Sequence, residues 1–151
     1  MAAFNYKVGL HNVGSYQVSG VPFASGGIEC VTGVTKIKFP SVTSWIAVQN
    51  NGAKVLRVGF SEGGMVDGDP DLGQDRWFFV AGNSGSAGPG TTGVMELKLS
   101  ELYLQGGVAG QVSVVAGLTF INTASINNAQ VSPNNSSTDT THTNWTGSLG
   151  V

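Results

Sequence analysis

Glycine restricts this chain more than any other residue: 23 of its 151 residues are glycine, set between short runs of β-branched and aromatic side chains. A glycine inside a helix costs about 1 kcal/mol relative to alanine, and the good helix formers are thinly spread. No window carries a sustained 3.6-residue apolar period flanked by caps. Short runs rich in Val, Ile, Phe, Trp and Thr, separated by Gly, Asn, Asp and Pro, are instead the pattern of strands and turns.

Eight strands are predicted. Tyr16–Gly20 is short, and Ile28–Phe39 is longer, with Val34, Lys36 and Lys38 alternating against Thr35, Ile37 and Phe39. Pro40 ends it, because proline cannot donate to a ladder. Ser44–Gln49 places Trp45, Ala47 and Gln49 on one face and Ile46 and Val48 on the other. Asn50-Asn51-Gly52 follows, and Asn-Gly suits the positive φ angles of a type I′ turn. A hairpin from Ser44–Gln49 to Lys54–Phe60 is therefore expected. Arg76–Ala81, Val94–Lys98, Leu102–Leu104 and Gln111–Gly117 complete the set. In Val94–Lys98, Val94, Glu96 and Lys98 alternate with Met95 and Leu97.

Short strands in this number need closure or two-layer packing to bury their apolar faces. The expected fold is all-β, a single jelly roll (an eight-stranded antiparallel β-sandwich). A seven-stranded immunoglobulin-like sandwich is its nearest competitor. The sandwich is assigned to residues 1–121. Residues 122–151 contain no Lys, Arg or Glu and a single charge, Asp139. This polar segment reads either as a tail unfolded by itself or as an arm docking on a neighbour through Trp145, Leu149 and Val151.

Composition excludes several classes. Only 11% of residues are charged and the net charge is −2, so solubility rests on Ser, Thr, Asn and Gly. Such a surface repels a copy of itself weakly. Lys36 and Lys38 are the densest basic pair, which leaves little counterion release for direct nucleic-acid binding. No run approaches the roughly 20 apolar residues of a membrane span, and the N-terminus has neither the basic nor the apolar region of a secretory signal. One cysteine, Cys30, excludes an internal disulfide and reads as a small buried hydrophobe.

The sharpest polar feature is the set Asp67, Asp69, Asp71 and Asp75. Carboxylates at alternate positions of a loop can wrap a hard cation such as calcium. Glycine at the seventh position and Phe78 at the twelfth depart from the helix-loop-helix calcium pattern. The plainer reading is a solvated acidic turn, with calcium as the one cofactor worth testing. His11 and His142 lie near opposite ends, and one cysteine with two histidines makes a zinc site improbable. There is no G-x-S-x-G elbow, no Walker A loop and no H-E-x-x-H. Glu96 and Glu101 bracket Lys98, which fits the wet face of a strand more simply than a carboxylate pair. Sequons at Asn134, Asn135 and Asn144 are of the kind that arises by chance in an Asn/Ser/Thr-rich segment. Trp45, Trp77, Phe78 and Phe79 read mostly as core. The chain carries no catalytic constellation and is expected not to be an enzyme.

The segments His11–Phe23, Ile37–Pro40, Arg57–Ser61, Leu97–Leu104 and Val112–Leu118 together resemble small single-jelly-roll capsid proteins of large double-stranded DNA viruses. The likeness is to those placed as pentons at fivefold vertices and spans roughly residues 11–120. It implies a virion structural protein, assembled in the host cell: a homopentamer closing the vertex beside the major capsid protein and other minor capsid proteins. A minor capsid or decoration protein, or a β-sandwich module binding glycan or receptor at a virion surface, are the alternatives. The family brings no catalytic residues. From composition, Tyr16, Trp45, Arg57 and Trp77 are the interface candidates, being large side chains of types enriched at protein contacts.

Overall fold

The structure is a computed structural model of the 151-residue chain and describes residues 20–65 and 77–123. Among these residues are eight strands: β1 (Val21–Ile28), β2 (Thr35–Lys38), β3 (Thr43–Asn50), β4 (Leu56–Gly59), β5 (Trp77–Val80), β6 (Gly90–Thr91), β7 (Glu101–Gly106) and β8 (Val112–Leu118). A short 3₁₀ turn covers Gly63–Met65. No helix among them is long and apolar enough to cross a membrane.

The strands form two four-stranded antiparallel sheets, the first in the order β1-β8-β3-β6 and the second in the order β2-β7-β4-β5. The pairs β1–β8, β2–β7, β3–β6 and β4–β5 nest inside one another, as if one long hairpin had been folded over into two layers. The joins β3–β8 and β4–β7 then fuse the nested pairs into sheets.

Side-chain alternation decides which face each strand turns inward. Ile46 and Val48 of β3 are fully buried, as are Leu56 and Val58 of β4, Leu102 and Leu104 of β7, and Val114 of β8. Residues of both sheets belong to one cluster, which Phe39, Val80 and Leu99 extend. Each of these aliphatic side chains gains about 1.5–3 kcal/mol by leaving water. Phe23 of β1 adds an edge-on ring contact to Phe39, with centroids 5.1 Å apart. The predicted faces of the Ser44–Gln49 segment are the observed ones.

Several expectations need correction. The predicted hairpin between β3 and β4 does not form, for the two strands lie in different sheets. Asn50 ends β3 fully buried. Its side-chain Nδ2 donates to the carbonyls of Lys54 (2.7 Å) and Ala81 (3.1 Å), and its Oδ1 accepts from the Gly52 amide at 3.1 Å. These bonds turn the chain across the end of the sandwich instead of back along β3. Gly52 is not in the left-handed region. It is needed for close approach: a Cβ there would lie 2.7 Å from the Val108 Cβ. The consecutive strands that do pair directly are β4 and β5, joined through residues 60–76.

Ile28–Phe39 is not one strand. Ile28 ends β1, the chain passes between sheets at Cys30, and only Thr35–Lys38 is regular. The Cys30 carbonyl accepts from the Gly106 amide at 2.7 Å, fixing that crossing. Val94–Lys98 is also not a regular strand. It runs beside β3 through one bridge, Met95 with Ile46. Around it, threonine hydroxyls take the place of ladder groups. Thr43 Oγ1 donates to the Leu97 carbonyl and accepts from the Leu99 amide, while Thr92 Oγ1 accepts from the Val48 amide. Gly93, at φ 67°, throws the segment out of step. Strands β1 and β6 were not foreseen. The predicted strand Tyr16–Gly20 lies outside the described residues except for Gly20, and the segment beyond residue 123 lies wholly outside them.

Candidate interface surfaces

Register places each outward side chain in a row running across its sheet. On the first sheet one row is Pro22, Gly117 and Trp45, and the next is Ala24, Val115 and Ala47. A third sets Ser113 and Thr91 on either side of Gln49. These three rows carry no charge. Val115 is 42% exposed at their centre. Trp45, an interface candidate from sequence, is half-buried at one end of this smooth face.

The outer face of the second sheet has a different chemistry. One row runs Lys36, Tyr103, Gly59, Trp77, and its neighbour runs Gln105, Arg57, Phe79. The Arg57 guanidinium lies over the Trp77 ring, 4.5 Å from its centroid. Phe79 meets the same ring edge-on at 4.6 Å. Two of the interface candidates, Arg57 and Trp77, are thus brought together, with Trp45 on the opposite sheet. Tyr16 lies outside the described residues.

The expectation that the strand aromatics are mostly core holds for Phe78, packed against the cluster beside Phe60. It fails for Phe79, which is 60% exposed, and for the half-buried Trp77 and Trp45. Successive side chains of β5 point to opposite faces, so Phe78 inward requires Trp77 and Phe79 outward. That alternation was the signal available in the sequence.

At the other end of this face sits a polar cluster that sequence reading missed. The Tyr103 hydroxyl donates to Glu101 Oε1 at 2.6 Å, and Lys36 Nζ bonds Glu101 Oε2 at 3.0 Å. The Lys36 ammonium also stands 5.2 Å from the Tyr103 ring centroid. Burial, followed by the bond to Glu101, pushes the Tyr103 hydroxyl up to about 12. The Tyr103 hydroxyl, and then Glu101, hold Lys36 protonated above its ordinary range against the pull of partial burial. Glu101 is therefore committed to β2 and Tyr103, while Glu96 stays exposed. On this face Trp77 Nε1 and Gln105 Oε1 are enclosed with no hydrogen-bond partner among the described residues.

Cys30 is buried as expected, with its Sγ 3.1 Å from the Gly106 carbonyl. Burial, with a smaller contribution from Glu29, pushes its thiol up, away from the reactive thiolate. Among the described residues, no three His, Cys, Asp or Glu side chains come together as a metal site would need. Asp67, Asp69, Asp71 and Asp75, the calcium candidates, lie outside those residues, as do His11 and His142. Comparison with protein-family models, curated proteins and solved structures finds no match.

Proposed function

We propose that this chain is a single jelly roll and serves as a virion structural protein, the penton subunit that closes the fivefold vertex of an icosahedral capsid. The observation that carries the fold part is the nesting of β1–β8, β2–β7, β3–β6 and β4–β5. An eight-stranded double sheet wound in this manner is the plan of the jelly roll, found in capsid proteins among others. The vertex role is carried by the likeness of residues 11–120 to penton proteins. In this reading the chain acts as a homopentamer, assembled in the host cell and set among the major capsid protein and other minor capsid proteins. Its work is geometric, with no catalytic turnover.

The low charge and the two unlike outer faces favour a subunit with neighbours on more than one side. A ring repeats one heterologous contact by rotation, and a rigid sandwich keeps that rotation constant from copy to copy. The deciding experiment joins the mass of the native assembly to localisation of the chain in its particle. Five copies at the vertices is the expected result. A strict monomer never found in a shell would sink the proposal.

The exposed Phe79 beside Trp77 and Arg57 favours one second reading, a module binding glycan or receptor at the virion surface. Aromatic platforms stack on sugar faces, and the acidic segment joins this strand directly. Saturable glycan binding by the isolated protein, lost on chelation of calcium, would select this reading. A decoration role elsewhere on the shell would show in the particle as density away from the vertices.

A further inference from the structure

We propose that Asn51 is a deamidation site that the fold keeps closed. Its side chain reacts with the Gly52 amide nitrogen only when the crossing between β3 and β4 opens, and the isoaspartyl product bars the crossing from closing again. The site is independent of what the chain assembles with.

Asn51-Gly52 is the one Asn-Gly pair in the sequence. Its reaction is intramolecular and needs only water. The Gly52 nitrogen gives up its proton and attacks the Asn51 side-chain carbon Cγ. A new C–N bond forms, the Cγ–Nδ2 bond breaks, and Nδ2 takes the proton and leaves as ammonia. The five-membered succinimide left behind is opened by water at either carbonyl. One opening gives aspartate. The other gives isoaspartate, in which the main chain runs through the former side chain and is one methylene longer. Glycine favours the attack because it has no Cβ to screen its nitrogen and its backbone turns freely.

In the fold, the groups that must move are held. Ring closure needs the peptide unit between Asn51 and Gly52 to turn until its nitrogen faces Cγ. Ahead of that unit the Asn51 amide donates to the Gln111 carbonyl at 2.8 Å, and behind it the Asn83 amide donates to the Gly52 carbonyl at 2.7 Å. The attacking nitrogen itself donates to Asn50 Oδ1 at 3.1 Å. Asn50 is fully buried and is fixed in turn by the Lys54 and Ala81 carbonyls. Val108 fills the space beside the Gly52 Cα. Asn51, by contrast, is exposed while Gly52 is buried. The electrophile is open to water and the nucleophile is locked away.

The same contacts make isoaspartate a misfit. An added methylene between residues 51 and 52 changes the spacing between the bonds to Gln111, Asn50 and Asn83. Buried groups that lose their partners destabilise the fold. Aspartate changes only an exposed side chain and fits. The rate of marking follows the fraction of time the crossing spends open, as amide hydrogen exchange does.

The test incubates the full chain at mildly alkaline pH, folded and in denaturant. Peptide mapping by mass spectrometry reads the exchange of –NH₂ for –OH at residue 51 and separates the two products. Unfolded chain should react at least about tenfold faster than folded chain. Equal rates, or no reaction in the unfolded chain, would overturn the site. Asn50→Ala, shown by melting curves to be folded at the assay temperature, should speed the folded reaction about fivefold or more. Where that variant unfolds, Val108→Ala takes its place, trimming the half-buried side chain over Gly52, and should speed the reaction in the same way. A folded variant no faster than wild type would overturn the clamp. Chains aged in denaturant and then refolded test the product. The isoaspartyl fraction should melt below unaged chain, whereas Asn51→Asp should melt with it. An isoaspartyl fraction that melts like unaged chain would overturn the one-way mark. Asn51→Gln, aged alike, should keep its melting temperature. A fall equal to that of the wild type would assign the damage to other asparagines and overturn it as well.

Discussion

On the outer face of the first sheet, Pro22, Ala24, Trp45, Ala47, Gln49 and Val115 follow one another without a charge. On the outer face of the second, Lys36, Lys38, Glu101, Arg57, Trp77 and Phe79 occupy the equivalent positions. Both faces stand on the same kind of ladder, and both inner faces are aliphatic. The difference shows that the inward residues specify the sandwich, whereas each outer face can be tuned without disturbing it. One face is smooth and small-chained. The other fixes its large side chains through ring, cation and hydrogen-bond contacts.

The sharpest way to test that separation uses neighbours on one strand. Leu104 is fully buried, and Leu104→Ala should cost about 2–5 kcal/mol in denaturant unfolding. Gln105→Ala, one residue on and facing outward, should cost less than about 1 kcal/mol, because it truncates a half-buried outer side chain and leaves the core intact. Equal losses would break the distinction between faces. Next comes Asn50→Ala, which removes the side chain tying the end of β3 to residues 52, 54 and 81. It should cost about 1–3 kcal/mol, and faster hydrogen exchange at Gly52 would locate the damage at the crossing.

The polar cluster of the second face predicts an alkaline response absent from the first. Tyr103 keeps its proton up to about 12 in the fold, against an ordinary value of 10.0. Lys36 is shifted upward as well. Folded protein therefore binds these protons more tightly than unfolded chain. Their contribution is complete below the unfolded values and falls away as pH rises through the folded ones. Melting temperature should thus drop between about pH 10 and 12. Tyr103→Phe should lose about 1 kcal/mol at neutral pH and show a smaller alkaline drop. Tyrosinate absorbance checks the titration itself, and a Tyr103 that ionises near the ordinary value of 10.0 would remove the explanation. The smallest effect belongs to the smooth face. Val115→Lys should change unfolding free energy by no more than about 0.5 kcal/mol, since the side chain is already 42% exposed.

How much of this was legible in the sequence follows from what period-2 alternation encodes. It marks which side of a strand faces inward, so Ile46 and Val48 were placed correctly against Trp45 and Ala47. It does not say which strand lies alongside. Asn50-Asn51-Gly52 has the local chemistry of a hairpin turn, yet the buried Asn50 side chain bonds to Gly52 and Lys54 of the crossing and to Ala81 just beyond β5. β1 escaped notice because Pro22, Ala24, Gly26 and Gly27 carry little strand propensity, and its place comes from pairing with β8. Arg57 and Trp77 were chosen by residue type. Their contact depends on the β4–β5 register, set across residues 60–76, where the sequence offers no ruler. The alternation through Trp77, Phe78 and Phe79 puts Phe79 on the face opposite Phe78.

The nested pairing also bears on how the molecule comes into being on a ribosome. β8 lies between β1 and β3, so the first sheet has no continuous middle until residue 118 has left the exit tunnel. Of the paired strands, β4 and β5 alone are consecutive in the chain and can meet while synthesis continues. Every other pairing must wait for a distant partner, and such long loop closures slow folding. The two outer faces would then be complete only once β8 has emerged. Truncated nascent chains ending before residue 112 should accordingly remain open to protease, with protection gained abruptly once β8 emerges.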